Sequence, residues 1–466
     1  MRVLNAVWGA TAMIDEDAKV GAEKRRRFLA KLTILTSGGM FIDGFILGGI
    51  GTVMPSVTKA LSLSLTWQGL IGASALIGIF IGGPLGGYLA DRVGRKPMFT
   101  IDLAMFLIGS IAQFFVASAG QLFAVRVLMG IAIGADYAIG WPLLAEFAPA
   151  RQRGKLLCIQ EVGWYTGFLI SYALGWALIE TDIAGWNVIL GLSTIPTIIV
   201  LLLRLGTPES PRWLMSQGRT EEAIALANEY MEADEVDDLR SQPPEAKLTV
   251  PIARLFSADY AKATAFASLF WVCNTTPYFA IGTFAPVVLE HLGLKDGLTG
   301  GLALNGLALL GTFTAVALIE RIGRRKLAIS VAYMAFAALM IVGLFPHAAA
   351  EIIVASVLIF SFANAVSNTM TSVFSAEVFP TEVRGSGVGF ATAVSRVGAA
   401  AGTVLLPESI AALGTAATML IAAAICFVGL VVTQMWAPET KGKHLSETGG
   451  PSRSADLGVP AGKLTA

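Results

Sequence analysis

The stretch GGYLADRVGRK, residues 86–96, decides the fold because it joins an apolar segment to a dense group of charges. Apolar residues and glycines precede the stretch and form its first part, and its second part contains Asp91, Arg95 and Lys96. An apolar run of about 20 residues crosses the roughly 30 Å core of a bilayer as a helix, and positive charges stay on the cytoplasmic side. The stretch therefore predicts the cytoplasmic end of a membrane helix.

Comparable apolar runs recur along most of the chain. Its 466 residues are 55% hydrophobic and 14% charged, with a mean hydropathy of +0.69, which excludes an ordinary soluble domain. Backbone groups in lipid must be satisfied internally, so runs of this length predict helices and an all-α membrane protein. We number the twelve predicted helices in chain order, with spans 32–56, 67–89, 98–118, 121–145, 156–179, 185–205, 262–289, 298–319, 327–345, 350–375, 386–407 and 413–435.

Internal repeats divide the chain into two halves. ADRVGRK recurs as IERIGRR 229 positions later, AEFAPARQRG as AEVFPTEVRG 231 later, and PESPRW as PETKGK 230 later. Three motif pairs at nearly one spacing predict two pseudo-symmetric six-helix bundles. The predicted segments are a cytoplasmic N-terminal segment (1–30), a first bundle (31–206), a cytoplasmic linker with short helices (207–261), a second bundle (262–437) and a cytoplasmic tail (438–466).

Lysines and arginines cluster after every second predicted helix, and the intervening loops are almost bare of them. By the positive-inside rule, both termini and the linker are cytoplasmic. The N-terminal 30 residues do not resemble a removable signal peptide. The sequence thus predicts a multi-pass protein of the cell (inner) membrane.

The loop motifs, in this order after predicted helices 2, 4, 6 and 12, resemble the signature set of the major facilitator superfamily. PESPRWL with PETKG is similar to its sugar porter and metabolite:proton symporter branch, and the resemblance covers residues of about 30 to 445. It implies the major facilitator fold and a proton-linked carrier that alternates between outward-open and inward-open states.

Acids alternate with bases in the motif loops, so they can pair across the halves in one state and separate in another. The alternative is simple anchoring of the loops by charge. The resemblance implies that they latch the cytoplasmic side. The predicted gate residues are Asp91, Arg95, Glu146, Arg153, Glu320, Arg324, Glu377 and Arg384.

A few ionisable residues fall at membrane depth, where each costs roughly 3 kcal/mol or more unless it finds a partner or water. They are Asp43, Asp102, Arg126, Asp136, Glu161 and Arg396. No histidine lies among them, so a proton carrier here must use a carboxylate. The three cysteines are scattered, and the sequence predicts no metal site, no cofactor and no enzymatic centre.

Asp43 and Arg126 form the predicted proton-coupling pair. The helical rise puts Asp43 about 24 Å from the basic cluster at Arg27 and Arg126 about 30 Å from Glu146, so the two can meet in the outer half of the bundle. A carboxylate beside an arginine stays ionised, and separation from it lets the carboxylate take a proton. The alternative is a permanent buried pair. Proton-coupled sugar porters have a matching Asp and Arg, so the resemblance also implies coupling.

Asp136 and Glu161 lie about 15 Å from the cytoplasmic side on consecutive helices. Both can line the cavity as proton sites or substrate ligands, or can bond a neighbouring helix without function. Asp102 lies only seven residues beyond Arg95, where snorkelling or a structural contact is expected.

Arg396 lies about 18 Å inside predicted helix 11, where a guanidinium can hold a substrate carboxylate through a bidentate pair. Organic-anion branches of the superfamily have a similar arginine; the alternative is a pair with Asp43 or Glu161. The hexose-binding residues of sugar porters are replaced here by Cys273 with Asn274 and by Phe279. The predicted substrate-binding residues are Arg396, Glu161, Gln160, Asp136, Asn274, Tyr278, Asn364 and Asn368.

The sequence therefore predicts a secondary active transporter that imports a small polar metabolite with a proton, an organic acid being favoured. A sugar or polyol symporter, an efflux antiporter and an uncoupled facilitator are the alternatives, and a membrane sensor is disfavoured. The expected partners are the substrate, protons and the lipid bilayer, with no nucleic acid and no second subunit.

Overall fold

The computed structural model describes residues 2–181, 183–204, 206–241, 252–283 and 297–448, and all regular structure in these ranges is helical. The first half contains α1 (Arg2–Ala60), α2 (Leu65–Val93), α3 (Arg95–Gln113), α4 (Ala119–Phe147), α5 (Arg153–Glu180), α6 (Trp186–Gly191) and α7 (Thr194–Arg204). The linker contains α8 (Pro211–Ser216), α9 (Thr220–Tyr230), α10 (Ala233–Ser241) and a 3₁₀ helix (Ile252–Phe256). The second half contains α11 (Ala261–Thr283), α12 (Gly297–Ile322), α13 (Arg324–Leu344), α14 (Ala350–Val378) and α15 (Arg384–Trp436), followed by α16 (Leu445–Thr448).

Ten helical spans in the described ranges are long and apolar enough to cross a membrane. Helices α6 and α7 together form one of them, and α15 contains two, separated at Gly414, whose φ is 82°. Helices α3 and α11 complete the set of twelve; their charged or polar residues lower their mean hydropathy. The structure confirms the predicted all-α architecture of twelve membrane helices.

Some predicted boundaries differ from the structure. Helix α1 begins at Arg2, so the predicted N-terminal segment continues directly into the first membrane helix. Helix α3 ends at Gln113 rather than at residue 118, because the Ser118 side chain caps α4 by accepting a hydrogen bond from the backbone N–H of Gln121. The last residues predicted for helix 7 (284–289) and the tail from residue 449 lie outside the described residues.

The two halves are packed in the same way. Helix α1 packs against α5 and α2 against α4, as α11 packs against α15 and α12 against α14. The halves meet where α2 contacts α15 and α5 contacts α12. Gly83 and Gly87 of α2 lie against the backbone of Gly389 and Gly385 on α15, and a Cβ at either α2 position would overlap it. Small residues allow this close approach of the halves.

The turn between α2 and α3 is built from two motifs. Gly94 has a φ of 114°, which a side chain strongly disfavours. The Glu209 carboxylate accepts hydrogen bonds from the backbone N–H groups of Arg95 (3.0 Å) and Lys96 (3.1 Å). Burial raises the pKa of Glu209, although these N–H groups oppose the shift. The second half repeats the arrangement with Gly323, Glu439, Arg324 and Arg325.

Candidate functional site

A buried ion pair joins the two halves at the end of α4. The Glu146 carboxylate accepts a hydrogen bond from Arg384 of the second half at 2.6 Å and one from Arg95 of its own half at 3.3 Å. All three side chains are almost completely buried. Because Arg384 begins α15, this contact fixes the start of α15 against the end of α4.

The mirror contact lies at the end of α14. The Glu377 carboxylate accepts a hydrogen bond from Arg153, the first residue of α5, at 2.8 Å, and lies 3.5 Å from Arg324 of its own half. Each half therefore supplies one carboxylate and one guanidinium to the other. Removing one partner of a pair buried this deeply leaves an uncompensated charge in the interior and strongly destabilises the protein, unlike the loss of a surface pair.

Two further carboxylates bridge the halves through backbone groups. Asp91 accepts hydrogen bonds from Arg95 at 2.7 Å and from the backbone N–H of Ser386, at the start of α15, at 2.7 Å. Glu320 accepts from Arg324 at 2.6 Å and from the backbone N–H of Lys155, at the start of α5, at 3.1 Å. The structure thus brings all eight predicted gate residues into one pseudo-two-fold set, which we call the charge network.

A central cavity lies between the halves. Its walls come from α1, α4 and α5 of the first half and from α11, α14 and α15 of the second. The lining residues are Met40, Tyr137, Trp141, Glu161, Trp164, Tyr165, Trp271, Thr275, Tyr278, Phe279, Asn368, Thr371 and Arg396.

Arg396 is the cation of this cavity. Its guanidinium carbon lies 5.5 Å from the ring centre of Tyr137, 5.9 Å from that of Trp271 and 5.5 Å from that of Phe279. The rings stabilise the charge through their faces. The alternative of a pair with Asp43 or Glu161 is not realised, since neither carboxylate forms an ion pair with Arg396 in the described structure.

Stacked aromatic rings form one wall of the cavity. Tyr137 and Trp141, one turn apart on α4, stack with centroids 5.0 Å apart and planes at 5°, and Trp271 lies 5.3 Å from Trp141. Trp164 donates its indole N–H to the Tyr137 hydroxyl at 3.0 Å. Sequence reasoning missed Tyr137 and Trp164; the i, i+4 spacing of Tyr137 and Trp141 beside Asp136 was the available signal.

The predicted amide residues lie in two layers. Asn368 lines the central cavity, and its side-chain N–H donates to the side-chain oxygen of Asn364 at 2.9 Å. The side-chain NH₂ of Asn364 donates in turn to the backbone carbonyl of Asn274 at 3.1 Å. Asn274 and Asn364 instead line a second, smaller cavity inside the second half. Asn274 and Asn364 therefore do not line the central cavity but hold Asn368 through hydrogen bonds on the side facing away from it.

Asp43 and Arg126 do not form the predicted pair. Asp43 is 0% exposed and Arg126 1% exposed, and no described residue hydrogen-bonds to either Asp43 oxygen or to any of the three Arg126 nitrogens. Both side chains are buried, as is expected of ionisable groups inside a membrane bundle. The helical rise could not predict the direction in which each side chain leaves its helix.

Asp136 and Gln160, both predicted to contact substrate, do not line the central cavity. Asp136 lies against Gly39 of α1 and faces Asp102 of α3, which forms an ion pair with Arg204 of α7 at 3.3 Å. Of the two acids predicted at one depth, only Glu161 reaches the cavity. Asp102 makes a structural contact and does not snorkel to the surface.

A group of potential metal ligands lies outside the membrane helices, at Glu235, Asp238 and His444. Arg212 already pairs with Glu235 at 2.7 Å and with Asp238 at 2.9 Å, so both carboxylates are engaged in ion pairs. This group ties α10 to the chain between α15 and α16.

Comparisons with known proteins agree with this architecture. The inner membrane metabolite transport protein YgcS of Escherichia coli (strain K12) is 38% identical over 91% of this chain and 94% of its own length. Myo-inositol transporter 2 of Schizosaccharomyces pombe is 27% identical over 94% of this chain and 84% of its own length.

The solved structure of the major facilitator superfamily proton:xylose symporter XylE, bound to 6-bromo-6-deoxy-D-glucose, superimposes with a TM-score of 0.80 at 22% identity. The match covers 91% of this chain and 99% of that chain, which identifies the major facilitator fold. The family model described as "Sugar (and other) transporter" matches residues 7–449. With nearly the whole chain matched, this protein belongs to the sugar (and other) transporter family, a family of membrane transporters and not of enzymes.

Proposed function

We propose that this protein imports a small organic acid together with a proton across the inner membrane, as a monomer with both termini in the cytoplasm. The observation that carries the proposal is Arg396, which lies in the central cavity among three aromatic rings and forms no ion pair with a described carboxylate. A guanidinium oriented in this way can bind a carboxylate through two parallel hydrogen bonds.

The rest of the cavity suits the remainder of such a substrate. The rings of Tyr137, Trp141 and Trp271 offer a flat apolar surface for a ring or a short carbon chain. Asn368, Thr275 and Thr371 line the same cavity and can bond hydroxyl groups. The substrate class we infer is therefore a small aromatic or hydroxylated carboxylic acid.

A sugar or polyol is the second candidate. The hydrogen-bonded series from Asn368 through Asn364 to Asn274 favours it, because oriented amides suit neutral hydroxylated ligands. XylE, which has the same fold, is described as a xylose symporter, and the yeast relative is described as a myo-inositol transporter.

Proton coupling is supported by the unpaired state of Asp43 and Arg126. Both are buried without a described partner, an arrangement that is costly when both are charged. We infer that Asp43 is protonated while it is apart from Arg126, and that it releases the proton when a conformational change brings the two together. Entry of an anion with one proton then adds no net charge to the membrane interior.

The charge network supports alternating access. Glu146 with Arg384 and Glu377 with Arg153 hold the halves together on one side, which we assign to the cytoplasm. Opening to that side requires both pairs to separate. Loading of the central cavity therefore has to lower the free energy of the opened state relative to the paired one.

The first experiment is a ligand screen on the purified protein. Thermal unfolding is followed with carboxylates, polyols, hexoses and amines, for the wild type, for Arg396→Ala and for the exposed control Arg254→Ala. A carboxylate should stabilise the wild type and the control but not Arg396→Ala, because a charge-assisted hydrogen bond contributes about 1.5–3 kcal/mol. Stabilisation by a neutral ligand that persists in Arg396→Ala would contradict the organic-acid proposal.

The transport experiment uses proteoliposomes with the ligand found in the screen. Uptake should exceed equilibrium when the outside is acidic and should fall to equilibrium when a protonophore collapses the gradient. Uptake that ignores the gradient would show an uncoupled facilitator. Accumulation with the opposite gradient alone would show an antiporter.

A further inference from the structure

A second group of buried charges lies inside the first half, outside the lining of the central cavity. Asp102 of α3 and Asp136 of α4 are each 1% exposed, and Arg204, the last residue of α7, is 6% exposed. The Arg204 guanidinium lies 3.3 Å from one Asp102 oxygen. The carboxyl groups of Asp102 and Asp136 lie close enough to act on each other, and Arg204 acts on both. Two carboxyl groups can share a hydrogen bond only if one of them carries a proton.

The surrounding charges lead to the same conclusion. Arg204 acts on both Asp102 and Asp136, which act in turn on Asp43 of α1, and Asp43 is also acted on by Glu161 of α5 and Arg396 of α15. This set has four carboxyl groups and two guanidinium groups. In an interior with little water, neighbouring carboxylates that outnumber the cations cannot all be ionised. Protons must therefore reside within the set.

Polar atoms without partners mark the space beside Asp136. One Asp136 oxygen and one Asp102 oxygen have no hydrogen-bond partner in the described structure, and the same holds for both side-chain amide atoms of Gln160. Gln160 is 0% exposed, and its amide oxygen and Asp136 both approach Gly140 of α4. Buried polar atoms that lack partners are uncommon and point to a bound proton or water at the site.

The pair is connected to Asp43 along α1. Asp136 lies directly against Gly39, where any side chain would overlap its carboxyl group. Gly39 and Asp43 are four residues apart, so they lie on one face of α1, one turn from each other. Asp102 lies beyond Asp136, nearer the side of the charge network, since it stands only seven residues after Arg95 at the start of α3.

We propose that Asp102 and Asp136 share one proton and form a second proton-binding site, through which the proton leaves Asp43 within the first half. The inference rests on the proposed proton coupling. In the transfer, the O–H bond of Asp43 breaks as one forms on Asp136, and the proton already shared with Asp102 leaves on the side of Arg204. Arg204 favours release there because it stabilises the Asp102 carboxylate. The proton and the substrate then leave by separate routes.

The test uses full-length protein in proteoliposomes, with Asp136→Asn, Asp102→Asn and the exposed control Asp259→Asn. Counterflow, which needs no proton gradient, should stay within about twofold of wild type, whereas uptake driven by a pH gradient should fall by about tenfold or more. Infrared titration should show a protonated carboxyl band near neutral pH in the wild type. Asp136→Asn should remove the part of that band that belongs to the shared proton and keep the part that belongs to Asp43, whereas Asp43→Asn should do the reverse.

The outcomes separate the two proposals. A wild type without gradient-driven uptake refutes proton coupling itself. A coupled wild type, together with both variants fully coupled and an unchanged infrared band, overturns the shared proton while leaving coupling intact. If the variants lose counterflow because they do not fold, the wild-type spectrum decides: no protonated carboxyl band near neutral pH overturns the inference. Stabilisation of the wild type by sodium ions in place of that band also overturns it.

Discussion

The charge network and the charges at membrane depth are both buried, but the first are paired with opposite charges and two of the second, Asp43 and Arg126, are not. Glu146 and Glu377 each have two guanidinium partners, one from each half. Asp43 and Arg126 have none in the described structure. A fully paired charge stabilises one conformation and gains nothing from a proton, whereas an unpaired one responds to protons and to ligands. We therefore propose that the charge network holds one conformation and that the unpaired charges at membrane depth allow it to change.

Pseudo-symmetry separates the same two regions. The charge network is duplicated, so that Glu146 and Arg153 recur 231 positions later as Glu377 and Arg384. At that offset Asp43 corresponds to Asn274, Asp136 to Ser367 and Glu161 to Thr392. Both halves must take part in closing the transporter, so both keep the network residues. At these three positions only the first half has carboxyls, which agrees with the proposal that they bind protons.

The largest expected effect comes from removing the carboxyl at the centre of the unpaired region. Asp43→Asn should abolish accumulation against a gradient, a loss of about a hundredfold or more, because no proton-carrying group remains at this position. Counterflow should persist. Uptake in proteoliposomes measures both, with Asp259→Asn as the control. Undiminished accumulation by Asp43→Asn would show that Asp43 is as static as the charge network.

Removing a carboxylate from the charge network should shift the protein toward conformations that are open on that side. Glu146→Gln leaves Arg384 buried without a carboxylate, and the loss of one partner of such a pair costs about 3–5 kcal/mol. The network side should open more often, so alkylation of Cys158, which is buried on α5, should accelerate in a background without Cys273 and Cys426.

The matched variant of that experiment is Glu377→Gln in the second half. If the network is a two-fold latch, both variants should raise the alkylation rate by similar factors. An effect in one variant alone would mean that only one of the two pairs controls opening.

Changes in the turns that support the charge network should destabilise the protein less than loss of a network carboxylate does. Gly94→Ala forces a side chain into a positive φ and against Glu209, which costs about 1–3 kcal/mol and should lower the thermal unfolding midpoint. Gly323→Ala should behave alike in the second half. Gly120→Ala, in α4 with no atom within 4 Å of the added Cβ, is the control and should leave the midpoint almost unchanged. Equal midpoints for Gly94→Ala and Gly120→Ala would contradict this reading.

The smallest effect is expected for a pair that is neither buried nor shared between halves. Arg219 and Glu222 form an ion pair at 2.5 Å on the linker, with side chains 50% and 59% exposed. Such pairs contribute only about 0.2–1 kcal/mol. Arg219→Ala should therefore shift the unfolding midpoint by less than any network variant. A shift as large as that of Glu146→Gln would mean that burial is not what distinguishes the charge network.

Sequence reasoning predicted the paired region more completely than the unpaired one. The eight network residues belong to motifs repeated at a nearly constant offset, and their partners are set by where each helix begins or ends. The surroundings of Asp136, Gln160 and Asp102 were predicted less well. Helical rise gives the depth of a side chain but not the side of the helix from which it leaves, so Asp136 was predicted in the cavity and lies behind it.

The sequence by itself determined the twelve membrane helices, the duplication, the charge network and Arg396 as a cavity cation, because hydropathy, repeats and charge are properties of position along the chain. Only the tertiary structure decided that Tyr137 and Trp164 line the cavity, that Asp43 and Arg126 stand apart, and that Asp102 faces Asp136. These contacts depend on the rotation of each helix about its axis, which packing among several helices fixes together.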